Sequence, residues 1–307
     1  MAHQHSHEHH HHGPIEPGQL NRAFLIGISL NLLFVIVEAV AGFATGSLAL
    51  LTDAGHNLSD VGSLGLSLLA FRLARMRPNM RFSYGYRKFT VLASLINALL
   101  LLTVVGAIGY EALHRLSEPP QVPGLTVAAV AAAGIVVNGL SAWLFHHDRE
   151  KDLNVKGAYL HLAADAAVSA GVVIAGLAMY WFGWQWLDPV ISFLILAVIL
   201  WSTWGLLRES VSLALDAVPS AIEVEKIRAA ALKINGITGI HHIHVWAMST
   251  TENALTAHLV LKEGLSGDQA QSAKKEFRHE LEHLNIRHAT LETEGEREEC
   301  ECRDCDR

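Results

Sequence analysis

The first two thirds of the chain contain six long apolar stretches separated by polar loops. Each has about 19–26 residues, and about 20 helical residues are enough to cross a ~30 Å hydrocarbon layer. Consecutive runs of this length are rare in soluble folds, so the sequence predicts a membrane α-helical bundle of six transmembrane helices. The predicted spans are residues 23–42, 47–71, 89–110, 125–145, 157–182 and 189–207.

Charged residues are sparse up to residue 207 and dense after it, and the average composition hides this division. Over 307 residues the chain is 17% charged, against about 25% in ordinary soluble proteins. Lysine and arginine number 23 against 30 aspartates and glutamates. We therefore expect no nucleic-acid partner. The three cysteines lie together near the C-terminus, which does not indicate a disulfide framework.

The loop charges predict the orientation in the membrane. The loop between the second and third spans carries six basic residues, and the loop between the fourth and fifth carries three. The loops on the opposite side contain one basic residue, Arg115. By the positive-inside rule both termini are cytosolic, and we expect the protein in the inner (cytoplasmic) membrane. The polar N-terminus is not typical of a cleaved signal peptide.

The C-terminal part has the pattern of a small α+β domain. Residues 219–223 indicate a capping box, with Ser220 as the cap, that opens a helix ending near residue 235. A second helix is predicted at 266–284 and strands at 237–247, 254–262 and 286–294. This αββαβ order predicts a ferredoxin-like cytosolic domain. We expect four regions: a His-rich tail (1–20), a transmembrane domain (21–208), the cytosolic domain (209–295) and an acidic tail (296–307).

Two pairs of ionisable residues lie inside the predicted spans, where charge is costly and therefore indicates function. The second span contains His56 and Asp60, and the fifth contains His161 and Asp165. The four-residue spacing places imidazole and carboxylate on one helix face, one turn apart. Two such faces opposed would offer two nitrogens and two oxygens, which suits tetrahedral Zn²⁺.

The depths of the two pairs allow them to meet. In a ~30 Å core, the first pair lies ~10–16 Å from the inner surface and the second ~6–12 Å from it. A hydrogen bond that holds two helices together is the alternative for a single pair. Two identically spaced pairs at compatible depth favour a shared metal site.

Further polar residues fall inside the spans. Asp53 lies on a different face from His56, and we expect it to cap the helix or line a pathway rather than bind the metal. For Glu38, packing and pathway lining are equally open. Packing is the favoured role of the asparagines, which are Asn31, Asn97 and Asn138.

Several motifs together resemble the cation diffusion facilitator family, six-span transporters of zinc and heavy metals with a metallochaperone-like cytosolic domain. They cover nearly the whole chain, from residue 21 to about 294. In the membrane part they are LTDAGHNLSD at 51–60, FSYGYRK at 82–88 and NVKGAYLHLAAD at 154–165; in the cytosolic part they are IHVW at 243–246, AHL at 257–259 and HAT at 288–290.

The resemblance implies a homodimer in the lipid bilayer that exchanges cytosolic divalent metal for protons by alternating access. Each protomer would have its own transport site at His56, Asp60, His161 and Asp165. The family pattern also implies regulatory zinc in the cytosolic domain, at His241, His258, His288 and Glu294. Without the resemblance, histidines on strands are more often ordinary surface residues.

The chemistry of histidine agrees with exchange. An ordinary imidazole titrates near roughly pH 6.5, so a proton and Zn²⁺ compete for the same lone pair. Histidine ligands also disfavour Mn²⁺ and Mg²⁺, which prefer oxygen. We therefore expect Zn²⁺ as the substrate, with Cd²⁺, Co²⁺ or Ni²⁺ as further candidates. A membrane sensor that binds metal without transporting it is the alternative function.

One motif favours a different class of protein. Residues 279–283 form His-Glu-x-x-His, the zinc-protease motif. Its two histidines lie ~200–240° around the helix from Phe277 on the apolar stripe, so we expect them to face solvent. A protease would also leave the intramembrane pairs unexplained. We therefore predict a transporter and not an enzyme.

Both tails contain candidate metal ligands. Seven histidines between residues 3 and 12 are expected to bind metal loosely, with an expression tag as the alternative. The C-terminal thiols could collect Zn²⁺ or a softer ion, or belong to a solvated acidic tail; they are Cys300, Cys302 and Cys305.

Overall fold

The computed structural model describes residues 22–146 and 153–296. In this part of the chain, six long helices precede a smaller α+β region. The helices are α1 (Arg22–Thr45), α2 (Leu48–Ala74), α3 (Phe89–Ser117), α4 (Gly124–His146), α5 (Leu153–Phe182), α6 (Leu187–Ala214), α7 (Val224–Leu232) and α8 (Gly267–His283). The strands are β1 (Ile237–Ala247), β2 (Asn253–Leu261) and β3 (Ile286–Gly295).

The six predicted spans are confirmed as helices. Four of them are long and apolar enough to cross a membrane: α3, α6, Gly124–Trp143 of α4 and Tyr159–Phe182 of α5. The apolar part of α1, Ser29–Thr45, is shorter. In α2, six polar side chains between positions 52 and 60 interrupt the apolar sequence, and these include the candidate site residues.

The chain divides into two compact units. The first contains Met1–Leu58 and Arg115–Ser192, and the second contains Ser59–His114 and Phe193–Arg307. The first unit thus includes α1, α4, α5 and the start of α2, and the second includes the α+β region.

In the first unit, α4 packs closely against its neighbours because small residues face them. A Cβ atom on Gly176 of α5 would lie 2.8 Å from the backbone nitrogen of Ala128, so this contact excludes a side chain. A Cβ atom on Gly134 would lie 2.7 Å from the ring of Phe34 on α1. Close backbone approach is how helices gain packing energy in lipid, where the hydrophobic effect does not drive them together.

A buried carboxylate caps the start of α2. Asp188, at the start of α6, accepts hydrogen bonds from Ser47 Oγ (2.5 Å), the Leu48 amide (2.7 Å) and the Ala49 amide (3.4 Å). The first amides of a helix have no partner within the helix and attract negative charge. Asp188 therefore pairs with the first amides of α2, which would be costly to bury in an apolar environment without a partner.

The second unit contains a three-stranded sheet in the order β1-β2-β3. The β1–β2 pair is antiparallel and the β2–β3 pair is parallel. Both α7 and α8 share an apolar core with the sheet, in which Ile227, Leu255 and Phe277 are fully buried. The predicted αββαβ order is confirmed: β1 has the predicted bounds, and β2 and β3 differ from prediction by one residue at their ends.

The predicted capping box at Ser220 is wrong. The backbone forms a turn in which the Ile222 amide donates to the Pro219 carbonyl (2.9 Å), and α7 begins only at Val224. The turn directs Ile222 into the core, where it is 8% exposed. Burial of this apolar side chain thus takes precedence over an earlier helix start. Ser220 instead donates to Glu209 at 3.2 Å.

The helix α8 has a complete capping box. The Gln269 amide donates to Ser266 Oγ (3.3 Å), and the Ser266 amide donates to Gln269 Oε1 (2.9 Å). The amides of Ser266 and Gln269 have no partners within the helix. Each of them therefore donates to the side chain of the other residue.

We expect Ser266→Ala to destabilise the C-terminal α+β domain by about 1 kcal/mol, because it removes one half of this capping box. Ser220→Ala is the matched control and should change the unfolding free energy by less than about 0.5 kcal/mol. Urea unfolding of a fragment covering residues 209–296 measures both. Equal destabilisation by the two variants would contradict the assignment of the cap.

Candidate metal centres

The first candidate centre lies between α2 and α5 in the first unit. His56 is on α2, and His161 and Asp165 lie one turn apart on α5. Nε2 of His56 is 3.7 Å from Oδ1 of Asp165, and Nε2 of His161 is 3.6 Å from Oδ2. The two imidazole centroids are 6.0 Å apart, with the rings nearly perpendicular. The structure therefore brings three of the four predicted transport-site residues together.

These distances are longer than direct hydrogen bonds and close to the spacing of metal ligands. Nitrogen and oxygen in a hydrogen bond lie about 2.7–3.2 Å apart. Ligand atoms about 2.0–2.1 Å from a tetrahedral Zn²⁺ lie about 3.3–3.4 Å from one another. The Asp165 side chain is 5% exposed and that of His161 is 47% exposed, so a buried carboxylate lies beside an imidazole that is accessible.

The fourth predicted residue, Asp60, lies on the next turn of α2. It follows His56 by four residues and so occupies the same helix face. The second unit begins at Ser59, so Asp60 belongs to it. Its position along α2 is the observation that links Asp60 to the site.

A second group of buried polar residues lies in the first unit. Glu38 on α1 and Asp53 and Asn57 on α2 are almost completely buried. Ser169 on α5 donates a hydrogen bond of 3.2 Å to Asp53 Oδ2. Asp188 caps α2 and Asp53 lies inside the helix, so the capping role expected for Asp53 is wrong, and pathway lining stays a prediction. The sequence pattern did not indicate the capping role of Asp188, since its partner lies 140 residues away.

The second candidate centre is a cluster on the sheet of the second unit. Glu294 on β3 contacts two histidines that face each other across β1 and β2. His241 Nε2 is 2.9 Å from Glu294 Oε2, and His258 Nδ1 forms a short hydrogen bond with the other carboxylate oxygen. Nε2 of His258 is also 3.5 Å from Glu292. Three of the four cytosolic residues implied by the family pattern are therefore together.

The structure adds His242 to this cluster. Ring nitrogens of His241, His242 and His258 lie within 4.8 Å of one another. In a regular strand, consecutive side chains point to opposite faces. Here β1 has a register shift between His241 and His244, and His242 has a left-handed φ of 52°. This bulge allows both neighbouring histidines to reach His258, which strand periodicity does not predict.

His288 is not brought to the cluster. It lies six residues before Glu294 on β3, opposite Ala254, and its ring packs against Tyr84 at a centroid distance of 5.3 Å. Six residues of a strand span about 20 Å, so His288 and Glu294 are at opposite ends of β3. The set of four that the family pattern implies is therefore not a single centre within the described chain.

The protease-like motif lies on the surface of α8. His279 and His283 are exposed, and their rings contact each other at a centroid distance of 4.8 Å. Leu281 between them is fully buried in the domain core. The predicted solvent orientation of the two histidines is confirmed. The N-terminal histidines and the ligands proposed at Cys300, Cys302 and Cys305 lie outside the described residues.

The contacts of Glu294 change its electrostatics. Partial burial on its own raises the pKa of Glu294, but hydrogen bonds from His258 and His241 outweigh it, and their charge acts in the same direction. The pKa of Glu294 is therefore below its usual value of 4.5. The cluster stabilises the ionised carboxylate, which is the form that binds a metal ion.

Similarity to known proteins agrees with both parts of the chain. The cation efflux transmembrane domain matches residues 24–213, and the cytoplasmic domain of cation efflux proteins matches residues 219–296. The protein therefore belongs to the cation efflux family. It is a multi-pass membrane protein with a C-terminal α+β domain, as predicted.

Relatives align over almost their full length. A cadmium, cobalt and zinc/H(+)-K(+) antiporter of Bacillus subtilis (strain 168) is 36% identical over 96% of this chain and 93% of its own. The zinc transporter ZitB of Escherichia coli (strain K12) is 36% identical, with the same coverage of both chains. The cation efflux system protein CzcD of Alcaligenes sp. (strain CT14) is 34% identical over 91% of this chain and 88% of its own.

The lowered pKa of Glu294 predicts a pH dependence of stability in metal-free protein. A carboxyl group with a depressed pKa contributes stability above its unfolded-state pKa, and this contribution is lost as the pH falls through the folded-state value. We expect Glu294→Gln to destabilise the domain fragment near pH 7, with a difference that shrinks below about pH 4.5. Unfolding with a chelator present measures this, and a difference independent of pH would contradict it.

Proposed function

We propose that the protein is a proton-coupled efflux transporter whose substrate is a divalent metal ion, with Zn²⁺ as the principal cargo. The observation that carries the proposal is the convergence of His56, His161 and Asp165 between two helices of a cation efflux transmembrane domain. Asp60, one turn after His56, is proposed as the fourth ligand. Two imidazoles and two carboxylates form a suitable tetrahedral set for Zn²⁺.

The burial of Asp165 explains why the site needs a positive ion. An ionised carboxylate with so little exposure is costly unless a cation compensates it. Zn²⁺ supplies this charge when it is bound, and protons supply it when the metal has left. The buried carboxylate of Asp165 therefore favours a site that holds either Zn²⁺ or protons.

Competition at the imidazoles couples the two ions. A proton and Zn²⁺ use the same lone pair of a histidine nitrogen, so the loss of one permits binding of the other. If the site opens alternately to each side, metal binds from the cytosol and protons bind from outside. A pH gradient then drives metal out of the cell. The positive-inside pattern supports cytosolic termini and a location in the inner membrane.

The range of substrates follows from the ligands and from the relatives. The names of similar proteins include cadmium, cobalt and zinc, which supports Cd²⁺ and Co²⁺ as further substrates. Ni²⁺ is supported by the presence of imidazole ligands alone. A membrane sensor that only binds metal gains no support from these relatives, since their names describe transport.

We also propose that the cytosolic cluster binds regulatory Zn²⁺ in a homodimer. Its ligands would be His241, His242, His258 and Glu294, and the match to the cytoplasmic domain of cation efflux proteins supports a cytosolic location. Bound metal would hold β1, β2 and β3 together at one end of the sheet. The cytosolic location allows the site to respond to the metal that the membrane part exports.

Transport is tested in proteoliposomes that contain the full chain. An outside-acid gradient should drive Zn²⁺ movement, and Asp165→Ala or Asp60→Ala should lower it by at least about 100-fold, because each removes a proposed ligand and a negative charge. The double variant His279→Ala, His283→Ala removes two exposed histidines of α8 and is the matched control. Zn²⁺ binding without flux in the wild type would favour the sensor.

Zinc binding to the cytosolic cluster is tested separately by titration of the fragment 209–296. We expect His241→Ala and His258→Ala each to weaken Zn²⁺ binding by about 10- to 100-fold, because a chelating ligand is lost. His288→Ala should leave the affinity unchanged, because His288 lies at the other end of β3. Unchanged affinity in the first two variants would contradict the proposed site.

A further inference from the structure

A pair of carboxyl groups lies inside the first unit, apart from the metal ligands. Glu38 on α1 is 0% exposed and Asp53 on α2 is 1% exposed. The two groups are close enough to interact directly, and the side chain of Asn57 also interacts with Glu38. Neither oxygen of Glu38 nor Oδ1 of Asp53 has a well-aligned hydrogen-bond partner among the described residues.

The pair cannot remain doubly ionised without a cation. Two adjacent buried carboxylates repel each other, and each loses its hydration. Between 29–58, 115–143 and 159–192, the side chains described in this unit, the one lysine or arginine is Arg115, and it donates to the Gly46 carbonyl. No lysine or arginine of these segments is therefore placed to neutralise the pair.

The other titratable groups around the pair have roles of their own. His56 on α2 and Asp165 on α5 belong to the metal centre, and Asp188 at the start of α6 caps α2. The buried polar side chains in the described part of α4 are neutral, Asn138 and Ser141. A cation held by Glu38 and Asp53 must therefore come from solution.

A proton fits the pair better than a metal ion. A carboxyl group that binds a proton can donate a hydrogen bond to the other carboxylate. This gives the unpaired oxygens a partner and removes one of the two negative charges. The pair contains no imidazole or thiol, the donors that select Zn²⁺. A hard divalent cation would need about six oxygen ligands.

The pair lies between the metal centre and the turn that joins α1 to α2. Glu38 is seven residues before the end of α1, and Asp53 is five residues after the start of α2, so both lie about 8–10 Å from the turn. Ser169, whose hydroxyl donates to Asp53, lies one turn after Asp165 on α5. A hydroxyl group therefore stands beside the pair on the helix that carries the metal ligand.

We propose that Glu38 and Asp53 form a proton-binding site, distinct from the metal ligands, that holds one shared proton on the outer side of the transport site. The proton comes from the outer solution and moves to an imidazole or carboxylate of the metal centre as Zn²⁺ leaves, so its single charge replaces part of the charge of the departing ion. The inference rests on the proposed function, because it assigns the entry of protons to residues other than the metal ligands.

The test separates proton-coupled transport from metal movement alone. Purified full-length protein in proteoliposomes is assayed for Zn²⁺ uptake driven by a pH gradient, and for exchange of labelled against unlabelled Zn²⁺ at equal pH on both sides. Exchange needs no net movement of protons. We expect Glu38→Gln and Asp53→Asn to lower driven uptake by about 100-fold, because neither amide can release a proton. Exchange should stay within about threefold of the wild type.

Glu118→Gln is the matched control, because it removes an exposed carboxyl group of the same unit and should change neither assay. Unchanged driven uptake in Glu38→Gln and Asp53→Asn overturns the inference. Loss of exchange as well as driven uptake in these two variants also overturns it. A drop of one bound Zn²⁺ per protomer in Glu38→Gln also overturns it, since the pair would then bind metal. Absence of driven uptake in the wild type overturns the proposed function and the inference with it.

Discussion

The cost of placing ionisable groups in a lipid environment controls the architecture of the membrane part. Asp165 is almost fully buried, with an imidazole of α2 on one side and an imidazole of its own helix on the other. In water these groups would be stable without one another, but at bilayer depth a buried carboxylate needs a cation nearby. The arrangement of α2 and α5 around Asp165 therefore favours binding of a positive ion.

Contacts from the surrounding helices hold α2 and α5 in place. Small residues such as Gly134 and Gly176 let α4 approach its neighbours closely, which supplies packing energy that lipid does not. Asp188 pairs with the first amides of α2 and fixes where the helix that carries His56 begins. The polar residues that reduce the apolar character of α2 are thus accommodated by contacts from other helices.

Much of the fold could be predicted from the sequence because it depends on local patterns. Apolar length gave the six helices, and the alternation of apolar residues gave the strands to within one residue. The four-residue spacing of His161 and Asp165 placed them on one face. The prediction failed at Ser220, where burial of Ile222 decides the start of α7. It also missed Asp188, which caps a helix 140 residues away.

The sequence by itself determined the membrane class, the order of the elements and the residue types available for a metal site, since hydrophobic length and helical spacing are properties of short segments. Only the tertiary structure decided which ligands meet. It placed His242 beside His258 through a bulge in β1 and left His288 at the far end of β3. It also brought Glu38 against Asp53 from a different helix. Contacts between distant segments depend on register and packing, which periodicity does not encode.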